Sequence, residues 1–274
     1  MPLIVNADDL GYSHHRDAAI FELFRLGKIT SASVIVNGPS ALAACEQARL
    51  VGLPIGLHIN VTEGEPLTKN DALTLDDGRM PFKMTFRSIA KRADATFMEA
   101  VDNEVVAQIE KFKDLTGTYP THVDGHQHVH ILPNMPSVMS PIFKTYGVSS
   151  IRIPEEDVDE YNWLTLEQKE HYNTRYVDAV AARLIYMKNG FKMNDCFVGL
   201  GLTGSLMTAE RIQQCLKTTS GLTEMIVHPG FEPTQACQQQ PFCDAFDTDP
   251  QRLYEFHCLR DFDFGDRLVS WSVF

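Results

Sequence analysis

The sequence predicts an α/β fold, a (β/α) barrel that is incomplete or distorted. Three observations lead there. Short apolar runs alternate with stretches of helical period along the chain, at the short spacing of parallel βαβ units. About eight such strands fit within 274 residues, the size of one α/β-barrel domain spanning 1–274. Polar groups capable of chemistry gather at the ends of the apolar runs, where a parallel barrel opens its working face.

The elements follow in order. Leu3-Ile4-Val5 is an apolar run that ends in Asn6-Ala7-Asp8-Asp9-Leu10-Gly11. A helix is expected from His14 to Leu26, striped by Ala19, Ile20, Leu23 and Phe24 and closed by Gly27. Ser31 to Asn37 is a second strand, Ser40 to Leu50 an Ala-rich helix, and Pro54 to Val61 a third strand with His58 near its end. From Thr62 to Ala95 the periodicity fails, and a connection this long is often functional. A long helix from Phe97 to Leu115 leads into the histidine-rich strand, Thr121 to His130.

A helix near Ser137 to Tyr146 and a strand from Ser149 to Pro154 come next, followed by an acidic loop from Glu155 to Tyr161. Thr165 to Lys188 reads as helix, Asp195 to Leu200 as strand, and Thr208 to Thr218 as helix with Thr208 or Ser205 as its cap. Leu222 to Val227 is a strand ending in His228-Pro229-Gly230. A polar loop from Phe231 to Thr248, a helix from Pro250 to Arg260 and a last strand from Leu268 to Phe274 complete the chain.

Composition narrows the function. The chain is 44% hydrophobic and 22% charged, with a net charge of −12. An acidic chain without basic runs makes a poor partner for nucleic acid or an anionic membrane. No run of about 18 apolar residues is present. The first residues lack a basic region and a cleavage site, so the expected location is cytoplasmic. The six cysteines are scattered without a Cys-x-x-Cys pair and read as small apolar fillers. Cys237 and Cys243 share a Gln-rich loop, and free thiols are the expectation there too.

The stretch from Thr121 to His130 is the least ordinary. As an extended strand it would put His122, Asp124, His126, His128 and His130 on one face. Such a face demands a polar partner, because each buried polar group needs one. Eight residues of strand span about 26 Å, whereas ligands lie about 2 Å from a shared metal. Only one or two of these groups can therefore reach a given ion.

Asp8/Asp9, His58, His126 and His228 all fall at or just past the ends of strands. Singly, each has a plain structural explanation: a helix cap, a hydrogen-bonded core imidazole, a turn residue. Together, one carboxylate and two imidazoles make a facial set for a divalent ion with positions left open for water. A neighbouring carboxylate could take the water's proton, and a histidine across the site could protonate a leaving nitrogen. Asp8 and Asp9 suit a division of labour, since neighbours in an extended segment point different ways.

Asn6-Ala7-Asp8-Asp9-Leu10-Gly11, Thr30-Ser31, Val36-Asn37-Gly38, Gly56-Leu57-His58, the Thr121–His130 stretch and His228-Pro229-Gly230 resemble the YdjC-like carbohydrate deacetylases. The resemblance covers nearly the whole chain in order. Asp124-Gly125-His126-Gln127-His128-Val129-His130, with His14-His15-Arg16-Asp17, is similar to the animal members of that family. The bacterial chitooligosaccharide deacetylases carry Ser-His-His where this chain has Gly125-His126-Gln127.

The resemblance implies a distorted TIM-like barrel of the glycoside hydrolase/deacetylase superfamily. It also implies removal of an N-acetyl group from an acetylated amino sugar, with release of acetate. By the same token Asp9, His58 and His126 would hold the metal, Asp8 would be the general base and His228 the acid. Arg152 would orient Asp8 or the substrate, or serve as a rim ion pair. His128 and His130 would stand behind the ligands or face substrate, and Asp124 would fix a ligand imidazole's tautomer. A homodimer is the family expectation. Family descriptions give Mg²⁺, but two imidazoles and a carboxylate suit Zn²⁺, Co²⁺ or Ni²⁺ at least as well. The loops from Val61 to Ala95 and Phe231 to Thr248 do not follow the bacterial enzymes, so the sugar is left open.

Two other classes compete: a metal-dependent hydrolase of another bond, such as a phosphoester or a non-sugar amide, and a non-catalytic carbohydrate-binding barrel. No clustered Lys or Arg lies next to the motifs, which speaks against phosphate substrates.

Overall fold

Among the described residues seven parallel strands form one sheet that curls into an open barrel, in the order β5-β4-β3-β2-β1-β7-β6. The computed structural model describes residues 1–92, 94–233 and 246–273. Along the chain run β1 (Leu3–Leu10), α1 (His14–Arg25), β2 (Ser31–Val34), α2 (Ala41–Val51) and β3 (Ile55–Ile59). Next come α3 (Lys83–Arg92), α4 (Ala95–Thr116), β4 (His122–Gly125), α5 (Met135–Thr145) and β5 (Ser150–Ile151). The chain continues through α6 (Leu166–Lys188), β6 (Cys196–Val198), α7 (Ala209–Lys217), β7 (Thr223–Val227) and α8 (Gln251–Asp261).

An interior strand of the sheet, between β2 and β7, is β1, whose eight residues are all buried. Leu3, Val5 and Ala7 pack with Ile20 and Leu23 of α1 in the large cluster between sheet and helices. Ile4 belongs to a second, small cluster with Leu222 and Trp271, which plugs one end of the barrel. Asn6 and Asp8 continue along the same face as Ile4, so one face of the strand is apolar and the other becomes polar toward its end. Space inside is tight. A Cβ on Gly56 of β3 would lie 2.2 Å from the His122 ring, which in turn stacks on Trp271 at 5.2 Å.

Three expectations need correction. The eighth strand, Leu268 to Phe274, reduces to one parallel bridge from Leu268 to Leu3, followed by a 3₁₀ turn at Trp271–Val273. The histidine-rich strand stops at Gly125, because Gln127 and His128 adopt left-handed φ values of 52° and 60° and the chain turns into a 3₁₀ segment. The stretch from Thr62 to Ala95 is not wholly irregular, since it holds α3. Of the two caps expected for α7 the structure has Thr208, whose side chain accepts from the Arg211 N–H. The cysteine pair Cys237 and Cys243 lies outside the described residues.

With seven strands the barrel does not close by a regular ladder between β5 and β6. Lys192 bridges to Ser150, exchanging backbone bonds with Ser149 and Ile151. Beyond it the buried Asn194 side chain takes over. Its Oδ1 accepts from the Ile153 N–H at 2.7 Å, and its amide donates to the carbonyls of Ile153 (2.9 Å) and Cys196 (3.0 Å). One side chain thus satisfies main-chain groups that a closed barrel would pair through backbone. Replacing Asn194 with Ala should lower unfolding free energy by about 2–4 kcal/mol, since buried groups at the seam lose their partners. Urea denaturation checks the loss, and amide exchange at Ile153 should accelerate first.

Candidate active site

The strand ends β1, β3, β4 and β7 open on one cavity of about 370 Å³, a size suited to a small ligand. Its wall includes Asp8, Asp9, His58, His126 and His228. The topology therefore brings together side chains that are spread over more than two hundred residues of sequence.

The arrangement begins with a defect in β1. Its pairing with β2 is regular at Asn6–Ser31 and Ala7–Ala32, then shifts before Leu10–Val34. Asp9 sits in this irregularity with a φ of 64°, a region Asp tolerates better than most side chains. A flat strand would send Asp8 and Asp9 to opposite faces. Here both reach the same imidazole: His58 Nε2 lies 3.2 Å from Asp9 Oδ1 and 4.0 Å from Asp8 Oδ2. Strand irregularities next to active sites commonly re-aim a side chain in this way.

Asp9 Oδ1, His58 Nε2 and His126 Nδ1 could together hold a metal ion, as ligand atoms within 4.8 Å of one another. The second nitrogen of each imidazole donates to a carboxylate. His58 Nδ1 donates to Asp124 Oδ1 at 2.6 Å, and His126 Nε2 to Glu63 Oε2 at 2.5 Å. This turns the other nitrogen of each ring toward the cluster, the pattern that orients metal-binding histidines. Asp8, His58 and Asp124 also lie close enough to one another. Their carboxylates are already committed to Arg152, so the first set fits an ion better.

Electrostatics agree with a cation. Burial would push the imidazoles down, yet Asp124 and Asp8 lift His58 to about 10, and Asp9 and Glu63 lift His126 to about 9. Burial also opposes ionisation of Asp9, but Arg16 and His126 outweigh it and hold its carboxyl well below the usual range. Carboxylates that draw protons so strongly onto two imidazoles would equally stabilise a metal ion in their place.

Behind the cluster lies Arg152, wholly buried. Its guanidinium forks onto Asp8 with two bonds of 2.6 Å, bonds Glu224 through Nε at 2.9 Å and lies 2.8 Å from Asp124. Arg152 is therefore an interior ion-pair centre, not a rim residue. Asp124 bridges it to His58. His228 enters from the end of β7, its ring nitrogen 4.0 Å from Asp8 and its backbone N–H donating to Glu255 at 2.7 Å. Burial lowers its pKa from the ordinary value, although nearby Asp8 and Asp9 pull the other way.

The remaining histidines separate. His128 lines the cavity beside the Phe197 edge. His130 lies outside it, with Nε2 2.9 Å from the carbonyl of Arg152. A Cβ at position 125 would come within 2.7 Å of the His130 ring, which is why glycine ends β4. His122 lies toward the plugged end of the barrel, pushed down to about 4 chiefly by burial.

Sequence reasoning missed Glu63, Arg16 and Glu224. Glu63 follows the third strand closely, so the rule that singled out Asp8 and Asp9 could have found it. Arg16 pairs with Asp9 at 3.0 Å from one turn into α1. Glu224 sits within β7 among apolar residues and contacts the Arg152 guanidinium at 2.8 Å. The fold also adds two cations to the cavity wall, Lys83 and Arg175, from segments far from the motifs.

The family model for YdjC-like proteins matches residues 2–269. The chain belongs to the YdjC-like family. A relative in Mus musculus, named carbohydrate deacetylase, is 38% identical over 273 residues, 94% of this chain and 87% of the mouse protein. The chitooligosaccharide deacetylase of Escherichia fergusonii is 33% identical over 159 residues, 57% of this chain and 60% of the bacterial one. The longer match to the animal protein agrees with the histidine motif. A crystallised Enterococcus faecalis V583 protein, provisionally described as a cellobiose-phosphate cleavage protein, superposes with a TM-score of 0.69 at 24% identity. The match covers 95% of this chain and 90% of that one, and shows the shared fold.

Arg152→Met should cost about 3–5 kcal/mol, because it strands Asp8, Asp124 and Glu224 in the interior. Glu224 is already lifted to about 7 by burial, against the pull of Arg152. Without the guanidinium Glu224 would bind its proton still more tightly folded than unfolded. The deficit should then be smallest near about pH 4 and grow toward about pH 8. Denaturant midpoints across that range measure the trend.

Proposed function

We propose that this protein hydrolyses the N-acetyl group of an acetylated amino sugar or oligosaccharide and releases acetate. The observation that carries the proposal is the pairing, in one sugar-sized cavity, of the Asp9–His58–His126 cluster with an Asp8 carboxylate fixed by Arg152. The names of the mouse and bacterial relatives support the same chemistry.

Asp9, His58 and His126 would hold one divalent ion, and a donor set of two imidazoles and a carboxylate suits Zn²⁺, Co²⁺ or Ni²⁺ as well as Mg²⁺. When bound, such an ion polarises the acetamido carbonyl and lowers the pKa of water. Asp8 acts as general base. Arg152 fixes the direction of that carboxylate through the two-bond fork. As water adds to the carbonyl carbon, its proton passes to Asp8. His228, 4.0 Å from Asp8, lies within reach of both that proton and a leaving nitrogen. With its pKa lowered by burial, it enters turnover neutral and returns the proton as the carbon–nitrogen bond breaks. Acetate and the free amine leave, and the protons balance.

Asp124 and Glu63 act through the imidazoles they hold, and Arg152 through Asp8. We also propose that the enzyme is a cytoplasmic homodimer working on a small N-acetylated sugar, the dimer following from the family resemblance. Among the described residues no helix is long and apolar enough to cross a membrane.

Two measurements test this proposal. Metal-stripped protein reloaded with Zn²⁺, Mg²⁺, Co²⁺ or Ni²⁺ should release acetate from short N-acetylglucosamine oligomers or monosaccharides. Asp8→Ala should bind the ion stoichiometrically yet lose about 10²–10⁴-fold in turnover. An Asp8→Ala protein that turns over like the parent would sink the assignment of the base, and metal-independent acetate release would sink the cluster's role. Separately, Glu63→Gln should weaken metal affinity by about 10–100-fold, read by competition with a chromophoric chelator.

A further inference from the structure

We propose that Glu255 of α8 is the positioning residue for His228, and that it holds the imidazole against Asp8 through the backbone instead of through the ring. The role of His228 as proton donor is taken from the deacetylase proposal; the placement of its ring by α8 is measured apart from turnover.

The strand-end histidines are not held alike. His58 and His126 each have a carboxylate behind the ring, Asp124 at 2.6 Å and Glu63 at 2.5 Å. His228 has none there. Among the described residues no carboxylate oxygen comes closer to its ring nitrogens than Asp8 Oδ2, 4.0 Å from Nε2. A proton donor needs placing as closely as a metal ligand does. Nε2 must take a proton from Asp8 and give it to the nitrogen that receives the electron pair of the breaking carbon–nitrogen bond.

What is fixed instead is the main chain on either side of the ring. The buried Glu255 carboxylate accepts the His228 N–H at 2.7 Å through Oε2, and the Gly204 N–H at 2.6 Å through Oε1. Arg252, one turn earlier on α8, pairs with Oε1 at 2.9 Å, and its Nη1 donates to the His228 carbonyl at 3.4 Å. The Gly230 N–H donates to the Arg252 carbonyl at 3.1 Å. Between them stands Pro229, whose ring fixes its own φ and steers His228 away from helical backbone. Only the side-chain torsions of His228 are left free, and there the Phe246 ring meets the imidazole edge-on at 5.5 Å. Phe246 is held in turn by the Arg252 guanidinium, 4.1 Å from its centroid.

A carboxylate is an expensive group to bury, and a neutral side chain can dock a helix. Here three donors converge on two oxygens, so both oxygens must accept. Glutamine has the same shape but one acceptor, and its amide would face a donor and leave that donor unpaired. The docking of α8 has a separate grip on the same loop. Gln251 Oε1 accepts the Ser205 N–H at 2.9 Å, and a Cβ on Gly204 would lie 2.1 Å from that oxygen. Helix docking is thus shared with Gln251, whereas the bond to the His228 N–H belongs to Glu255.

The test compares Glu255→Gln, His228→Ala and their combination in the Zn²⁺-loaded full chain, with Gln251→Ala as the control for helix docking. In a proton–carbon correlation spectrum the His228 ring signal is identified by its loss in His228→Ala. It should shift or broaden in Glu255→Gln and stay in place in Gln251→Ala. Glu255→Gln should lower kcat for acetate release from an N-acetylated sugar about 10–100-fold, with KM within about twofold of the parent. Once His228 is alanine, Glu255→Gln should cost less than about twofold further, because it acts through that ring. An unmoved ring signal overturns the proposal, and so does a loss that multiplies with that of His228→Ala. Should Glu255→Gln fail to fold, Glu255→Gln combined with Arg252→Gln removes both charges together and is read in the same way. If the parent releases no acetate, the deacetylase reading falls, and the ring signal alone decides whether Glu255 places His228.

Discussion

A single guanidinium in the barrel interior organises the rest. Arg152 is fully buried and meets Asp8, Asp124 and Glu224, which come from three other strands. Removing a charge from water is costly, and only close pairing with good hydrogen-bond geometry offsets it. The guanidinium provides that geometry through its planar set of donors, which an ammonium could not reproduce. Each carboxylate it holds has a second task. Asp8 faces the cavity, Asp124 orients His58, and Glu224 holds the guanidinium from the plugged end of the barrel. Strand positions and site geometry are thus tied through one side chain.

The cluster at the mouth depends on this interior. The irregularity in β1 brings Asp8 and Asp9 to a common imidazole, while Arg152 and Arg16 hold the two carboxylates apart by drawing on different oxygens. His58 and His126 are each pinned between a carboxylate in front and another behind. A site held at both ends loses little conformational entropy when a ligand arrives, which is the advantage of preorganisation.

Much of this was legible in the sequence, and the physical reason is periodicity. Parallel strands buried on both faces write continuous apolar runs, so the βαβ order and the strand-end residues Asp8, Asp9, His58, His126 and His228 could be read directly. What failed was local. His126, His128 and His130 fit an extended strand by their spacing, yet two left-handed residues break it, and neither Gln127 nor His128 is the glycine or asparagine that would warn of such a turn. Leu268 to Phe274 has strand composition but meets the sheet at only one bridge. Lys83 and Arg175 were invisible for a different reason: their neighbours along the chain carry no motif, and only the folded cavity gives them a common address.

The kink at Gln127–His128 also determines where this cavity can change over evolutionary time. Both residues hold a backbone conformation that β-branched or bulky side chains adopt only at a cost. Substitution there is filtered by the backbone before any ligand is met. Lys83 and Arg175 stand on ordinary helical turns, where almost any residue can be placed without strain. New sugar preferences in relatives of this protein should therefore arise by exchange on α3 and α6, around a histidine wall that stays as it is.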